Sequence, residues 1–215
     1  MSFTHLDESG RARMVDVTAK APTVRAATAR GFVRCSPGVI AALRDGSVPK
    51  GDVLAVARIA GIQAAKRTPD LLPLAHIIGV HGAAVELDIV DDGVEIEATV
   101  RTADRTGVEM EALTAVSVAA LAIVDMVKGL DKATSIENVR ITAKEGGRSG
   151  SWTRPGEPAR SNELSGPGGA AEVSQPAEPE PSAGRADPTA EQAESAVLAG
   201  QTAPAATAWP SAAES

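Results

Sequence analysis

Four charged residues bracket one apolar run in this chain of 215 residues: Glu109 and Glu111 precede ALTAVSVAALAIV, and Asp125 and Lys128 follow it. On a helix, Asp125 and Lys128 are three apart and share a face, so a carboxylate and an ammonium can hold or exchange protons together there. The early acids suit the positive end of a helix, and Lys128 suits the negative end. Asp125 is not explained in this way, because a negative charge is disfavoured in a last turn. On spacing alone a plain surface ion pair remains an open reading, and such a pair contributes little. Glu111 and Asp125 lie fourteen residues apart, about 21 Å along a helix. If both act on one small substrate, a second copy of the chain must supply one end, so a site at a subunit interface is expected.

Three more residues have reactive side chains in suggestive places. Lys50 stands in Pro49-Lys50-Gly51-Asp52, just before a helix signal. It reads either as a phosphate contact beside exposed backbone N–H groups or as a solvated loop lysine. Lys144 borders the glycine loop Glu145-Gly146-Gly147-Arg148-Ser149-Gly150. It can bind phosphate as a point charge or merely keep the loop soluble. The loop does not lead from a strand into a helix as a phosphate-binding P-loop does. His76 lies in Leu71-Leu72-Pro73-Leu74-Ala75-His76-Ile77-Ile78, with His81 five residues on; a histidine among apolar neighbours is either a satisfied core residue or a ligand. Metal binding needs three or four convergent ligands. With one cysteine, three histidines and no His-Glu-x-x-His pattern, no metal cage is recognisable, and metal-free acid/base chemistry without a cofactor is expected.

The elements that position these residues follow from periodicity and punctuation. Residues 14–19 alternate and are β-branched, predicting a strand; Thr28, Phe32 and Val33 tilt residues 24–35 to strand as well. Ser36-Pro37 sets an N-cap with proline at the first helical position, and a short helix over 38–44 ends at Gly46. Asp52 caps a longer helix over 53–67, whose buried face is expected to carry Val56, Ala57, Ile59, Ala60 and Ala64, with Thr68-Pro69 as its stop. Residues 84–90 and 94–102 alternate with period two around Asp91-Asp92-Gly93, an antiparallel hairpin. A long helix is expected over 108–128 between Gly107 and Gly129, buried nearly all round, and a closing strand over 139–143. Together these predict an α+β two-layer sandwich.

Composition bounds the rest. Aromatics are 2% and tyrosine is absent, so the core is built from Ala, Val, Ile and Leu. The sole cysteine, Cys35, permits no intrachain disulfide, which fits a reducing compartment. Residues 1–150 hold 18 Lys/Arg and 19 Asp/Glu, whereas residues 151–215 hold 3 and 9. The acidity of −7 therefore belongs mostly to the tail. There is no basic run and little aromatic surface for stacking bases, so nucleic acid is not an expected partner. The start has no apolar h-region, and the longest apolar stretch, 115–124, is far short of the ~20 residues of a membrane span. A soluble, cytoplasmic protein is expected, with no membrane partner. A composition break near Gly150 divides a domain over 1–150 from a tail over 151–215, which holds nine of the fourteen prolines. Too apolar-poor to offset its ordering entropy, the tail is expected to be disordered, with at most a marginal helix over 191–199.

Six blocks in order carry a family resemblance: Met14-Val15-Asp16-Val17-Thr18-Ala19-Lys20, Lys50-Gly51-Asp52-Val53, Ala57-Arg58-Ile59-Ala60-Gly61-Ile62-Gln63-Ala64-Ala65-Lys66-Arg67-Thr68, Leu71-Leu72-Pro73-Leu74-Ala75-His76, Thr106-Gly107-Val108-Glu109-Met110-Glu111-Ala112-Leu113-Thr114-Ala115 and Asp125-Met126-Val127-Lys128. Over about residues 3–150 the chain resembles the cyclic pyranopterin monophosphate synthases, the molybdenum cofactor biosynthesis protein C family. The resemblance implies a ferredoxin-like α+β fold and a homohexamer, a trimer of dimers with sites between subunits. It implies a lyase acting after a radical S-adenosylmethionine enzyme, converting a cyclised dihydroguanosine triphosphate to cyclic pyranopterin monophosphate and diphosphate. It also places catalytic roles on Asp125, Lys128 and Lys50, and substrate contacts on Leu74, Ala75, His76, Met110, Glu111 and Lys144. The chain departs from the family at Ala75-His76-Ile77, where Cys-His-Pro is usual, and at Glu145 and Arg148, where Ser and Lys are usual. The alternative is a non-catalytic oligomeric nucleotide-binding regulatory module on the same fold; a regulator would not need Asp125, Lys128 and Lys50 together.

Overall fold

The structure, a computed structural model, describes residue 7 and residues 9–157. The chain divides into two units, Met1–Ser161 and Asn162–Ser215, and every described residue belongs to the first. The expected helix over 191–199 and most of the expected tail lie outside the described residues.

The elements run β1 (Thr23–Arg34), α1 (Pro37–Arg44), α2 (Val53–Lys66), α3 (Thr68–Leu71), β2 (Gly82–Ile89), β3 (Gly93–Asp104), α4 (Glu109–Val127), β4 (Ser135–Glu145) and β5 (Trp152–Thr153). The strands form one sheet in the order β2-β3-β1-β4-β5, antiparallel at every neighbouring pair. β1 and β2 are thus parallel with β3 between them, the split β-α-β arrangement of ferredoxin-like sandwiches. The helices cover one face.

The core lies between that face and α4. Across the β1–β3 ladder, Ala27 pairs with Val100, Ala29 with Ala98, Gly31 with Ile96 and Val33 with Val94. All of these are buried. With so many small residues the layers approach closely. A side chain at Gly31 would meet Val116 Cγ1 at 2.6 Å, and one at Gly61 would meet the Ala115 carbonyl at 2.9 Å. These are the points where α4 crosses β1 and where α2 packs on α4. The buried stripe of α4 runs through Ala112, Ala115, Val116, Ala119, Ala120, Ile123 and Val127, while Leu121 and Asp125 face outward. By length and composition α4 would pass for a membrane span, but it is the core helix of the sandwich.

Several expectations need correction. Residues 14–19 form no strand: Asp16 Oδ1 accepts the Thr18 N–H at 2.8 Å and Val17 O accepts the Lys20 N–H, so the chain turns there. Ser36 occupies the N-cap position of α1 without a side-chain cap, whereas Asp52 caps α2 through Ala55 N at 3.0 Å. Of the expected buried face of α2, Ala57 and Ala64 are buried, but Val56 and Ile59 are exposed and Ala60 is half-buried; Val53, Gly61 and Ala65 complete the buried face. β4 is longer than expected and bulged against β1.

The seven described residues beyond Gly150 also belong to this unit. Trp152 and Thr153 pair with Lys144 and Ala143. Glu157 then reaches the sheet face opposite the helices, 2.5 Å from Arg140 Nε and 3.1 Å from Arg30 Nη1. Those two guanidiniums, Arg140 foremost, hold its carboxyl below the usual range.

Candidate active site

The two ends of α4 carry two separate groups of reactive side chains. At the C-terminal end, the turn before α2 delivers Lys50. Gly51 there adopts φ +95° and donates to Val48 O, while the buried Val48 anchors the turn. Lys50 Nζ lies 3.0 Å from Asp125 Oδ2 and 2.7 Å from the Asp125 carbonyl. Lys128 Nζ lies 2.6 Å from Asp125 Oδ1. One carboxylate thus holds two ammonium groups, which leaves a local excess of one positive charge.

Lys128 first, and Lys50 second, keep the Asp125 carboxyl below its ordinary range. The side chains of Lys50, Asp125 and Lys128 are 48%, 58% and 59% exposed. Ion pairs so open to water contribute little to stability. A negative residue in the last turn of a helix, where the dipole opposes it, thus finds no structural justification. What the arrangement does offer is a preset pair of cations for an anionic ligand, with a carboxylate to orient them and share their protons.

At the N-terminal end, residues 72–81 run without regular structure past the start of α4 and leave a cavity of about 510 Å³. Leu74, Ala75 and His76 form one wall, and Met110 and Glu111 another. Val15, Val17 and Lys20 close it from the N-terminal segment, and Thr106, Gly107 and Glu109 complete the rim. His76 Nε2 donates to the Val15 carbonyl at 2.6 Å. In the neutral ring Nδ1 is therefore the acceptor. Lys144 joins this end: its Nζ bonds Ser149 Oγ and lies 3.8 Å from Glu109 Oε1. His81 is structural, its Nδ1 accepting the Ala103 N–H at 3.2 Å.

Glu111 is only 3% exposed. Burial pushes its carboxyl above the ordinary 4.5; its own backbone N–H and nearby His76 oppose the rise, and Glu109 reinforces it. A carboxyl raised in the fold favours folding below its unfolded pKa, and that advantage is lost as pH rises through the folded value. Glu111→Gln is therefore expected to melt a few degrees higher than the parent at pH 7 to 8. The gap should close as pH falls below 4.5. Thermal unfolding across that range checks it, and a variant less stable at every pH would contradict the assignment.

The structure thus brings Lys50, Asp125 and Lys128 together, and separately Leu74, Ala75, His76, Met110 and Glu111, with Lys144 at the edge of the second group. It does not join the two groups within one chain. Sequence reasoning passed over Lys20, Glu109 and the Val15 carbonyl. Glu109 reads from sequence only as an acid suited to a helix start, and Lys20 carries no signal beyond closing the first block.

The MoaC family model matches residues 14–147, which span every side chain of both groups. A cyclic pyranopterin monophosphate synthase of Streptomyces coelicolor is 62% identical over 152 residues, covering 71% of this chain and 89% of the relative. Relatives of the same name from a Nocardioides species and from Chloroflexus aurantiacus are 59% and 58% identical. They cover 71% of this chain, and 96% and 95% of their own lengths. On a match of this extent and identity, the chain belongs to the MoaC family.

Proposed function

We propose that this protein is a lyase of molybdenum cofactor biosynthesis, a cyclic pyranopterin monophosphate synthase. It takes a cyclised dihydroguanosine triphosphate, the product of a radical S-adenosylmethionine enzyme, and releases diphosphate. The observation that carries this reading is the exposed Lys50–Asp125–Lys128 group, which stability does not explain. The names of the relatives support it and do not favour the regulatory reading.

The reaction opens a ring, forms the pyran ring and drives a ribose hydroxyl onto the α-phosphorus as diphosphate leaves. Lys50 and Lys128 exchange protons and stabilise the departing anion, with Asp125 orienting Lys128. His76 and Glu111 act at the purine-derived end with Leu74, Ala75 and Met110, and Lys144 contacts phosphate. These side chains supply the proton transfers directly. About 24 Å of helix separates Glu109 from Asp125 at 1.5 Å per residue, so a complete site is composed by two copies within a homohexamer, a trimer of dimers. We place the catalytic machinery within 1–150, with β5 and Glu157 just beyond it completing the same unit, and the protein in the cytoplasm. Incubating the purified full chain with the cyclised nucleotide and following diphosphate tests the reading. Release only at the rate of a protein-free control would overturn it.

A further inference from the structure

We propose that Arg105 is a positioning residue of this site, holding Lys20 on the cavity wall from outside the cavity. This rests on the cavity being part of the substrate site proposed above. Arg105 sits in the turn between β3 and α4 with an exposed side chain, and it does not line the cavity. Its Nε donates to the carbonyl of Lys20 at 2.9 Å, across 85 residues of sequence.

The turn that carries Arg105 is itself anchored. Arg25, on β1, donates from Nε to the Asp104 carbonyl at 3.0 Å and from Nη2 to the Arg105 carbonyl at 3.3 Å. Asp104 Oδ1 accepts the Arg105 N–H at 2.7 Å. The guanidinium therefore hangs from a backbone fixed to the sheet, and the next two residues, Thr106 and Gly107, form part of the cavity rim. In contrast, the segment it grips has little packing of its own. Residues 16 and 18–20 are exposed, Val15 and Val17 are half-buried, and no strand pairs with them. Among the described residues, two side-chain hydrogen bonds clip this segment to distant parts of the chain. One is His76 to the Val15 carbonyl, inside the cavity, and the other is Arg105 to the Lys20 carbonyl, outside it.

The second clip decides where Lys20 stands. A lysine on a free segment spreads its ammonium over a wide volume, and binding an anion then costs the freedom of the backbone as well as of the side chain. Fixing the Lys20 carbonyl removes the backbone part of that cost before the ligand arrives. The donor is charged and the acceptor neutral, so the bond belongs to the stronger class. An exposed surface arginine that packs no core leaves the fold itself largely indifferent to its loss.

The test uses the full-length parent with Arg105→Ala, Arg105→Lys and Lys20→Ala. Arg105→Ala should speed amide hydrogen exchange across residues 14–20 in the ligand-free protein. In the diphosphate-release assay its KM should rise roughly tenfold, the effect of one good hydrogen bond, with kcat within about twofold. Arg105→Lys should recover most of the KM, since its ammonium can reach the same carbonyl, and Lys20→Ala should reproduce the KM increase. If Lys20→Ala raises KM but Arg105→Ala changes neither KM nor exchange, the positioning role is overturned while the site stands. If Lys20→Ala leaves KM unchanged, this wall is not a substrate surface and the proposal falls with that part of the site. A lowered melting temperature in Arg105→Ala without recovery of KM in Arg105→Lys would make the residue structural and would likewise overturn it.

Discussion

Lys128→Ala is expected to lower kcat for diphosphate release by about 10²–10⁴-fold, the usual contribution of a general acid or base, while substrate still binds. The ammonium of Lys128 lies 2.6 Å from Asp125 Oδ1, and Lys50 holds the other oxygen of the same carboxylate. Removing Lys128 leaves Lys50 to attract the triphosphate, so the loss should fall on turnover. Its side chain is 59% exposed, so the variant should fold with little change in stability. Lys128→Arg sharpens the result. Arginine keeps the charge but does not release its proton. A role in proton transfer predicts that this variant also fails in turnover while binding normally, whereas a purely electrostatic role predicts substantial activity. Single-turnover diphosphate release and calorimetric binding separate the cases. Near-normal turnover by Lys128→Ala would remove the residue from the catalytic set.

The second large effect is the recovery of activity by mixing two dead proteins. Lys128→Ala and His76→Ala damage opposite ends of α4, and each pure variant is expected to be inactive. If copies related by a two-fold axis exchange ends, each mixed pair holds one doubly damaged site and one intact site. Equal mixing after reversible dissociation, or co-expression, then restores roughly a quarter of the sites, because half of the interfaces are mixed. Diphosphate release across a series of mixing ratios measures this. A site built within one chain predicts no recovery at any ratio, and that outcome would remove the shared-site reading.

Much of this architecture is legible in the amino-acid order because its causes are local. The period-two runs around Asp91-Asp92-Gly93 become β2 and β3, and the charge-free run after Glu111 becomes α4. Asp52 caps α2 because a short carboxylate before a helix can reach an orphan N–H whatever lies around it. The pairing of Asp125 with Lys128 belongs to the same class, since a spacing of three places both on one helix face.

Where local cause ends, the reading fails or stays open. Residues 14–19 have the alternation of a strand, but the turn at Asp16–Thr18 takes them instead, and both long edges of β1 are already filled by β3 and β4. Val56 and Ile59 are apolar enough to bury, yet the close approach of α2 to α4 is made at Gly61, which turns the flank bearing those two toward solvent.

From its order alone, then, the chain determines the hairpin of β2 and β3 and the helices α2 and α4, which residues are charged at each end of α4, and that Asp125 and Lys128 meet. Those outcomes depend on spacing along a single element. Only the tertiary structure decides that Lys50 completes the pair from 75 residues away, that Lys144 stands beside Glu109 at the opposite end, and that the N-terminal segment walls the cavity. Such distant meetings depend on how strands register and helices cross, and on small residues that let backbones approach, which no local pattern encodes.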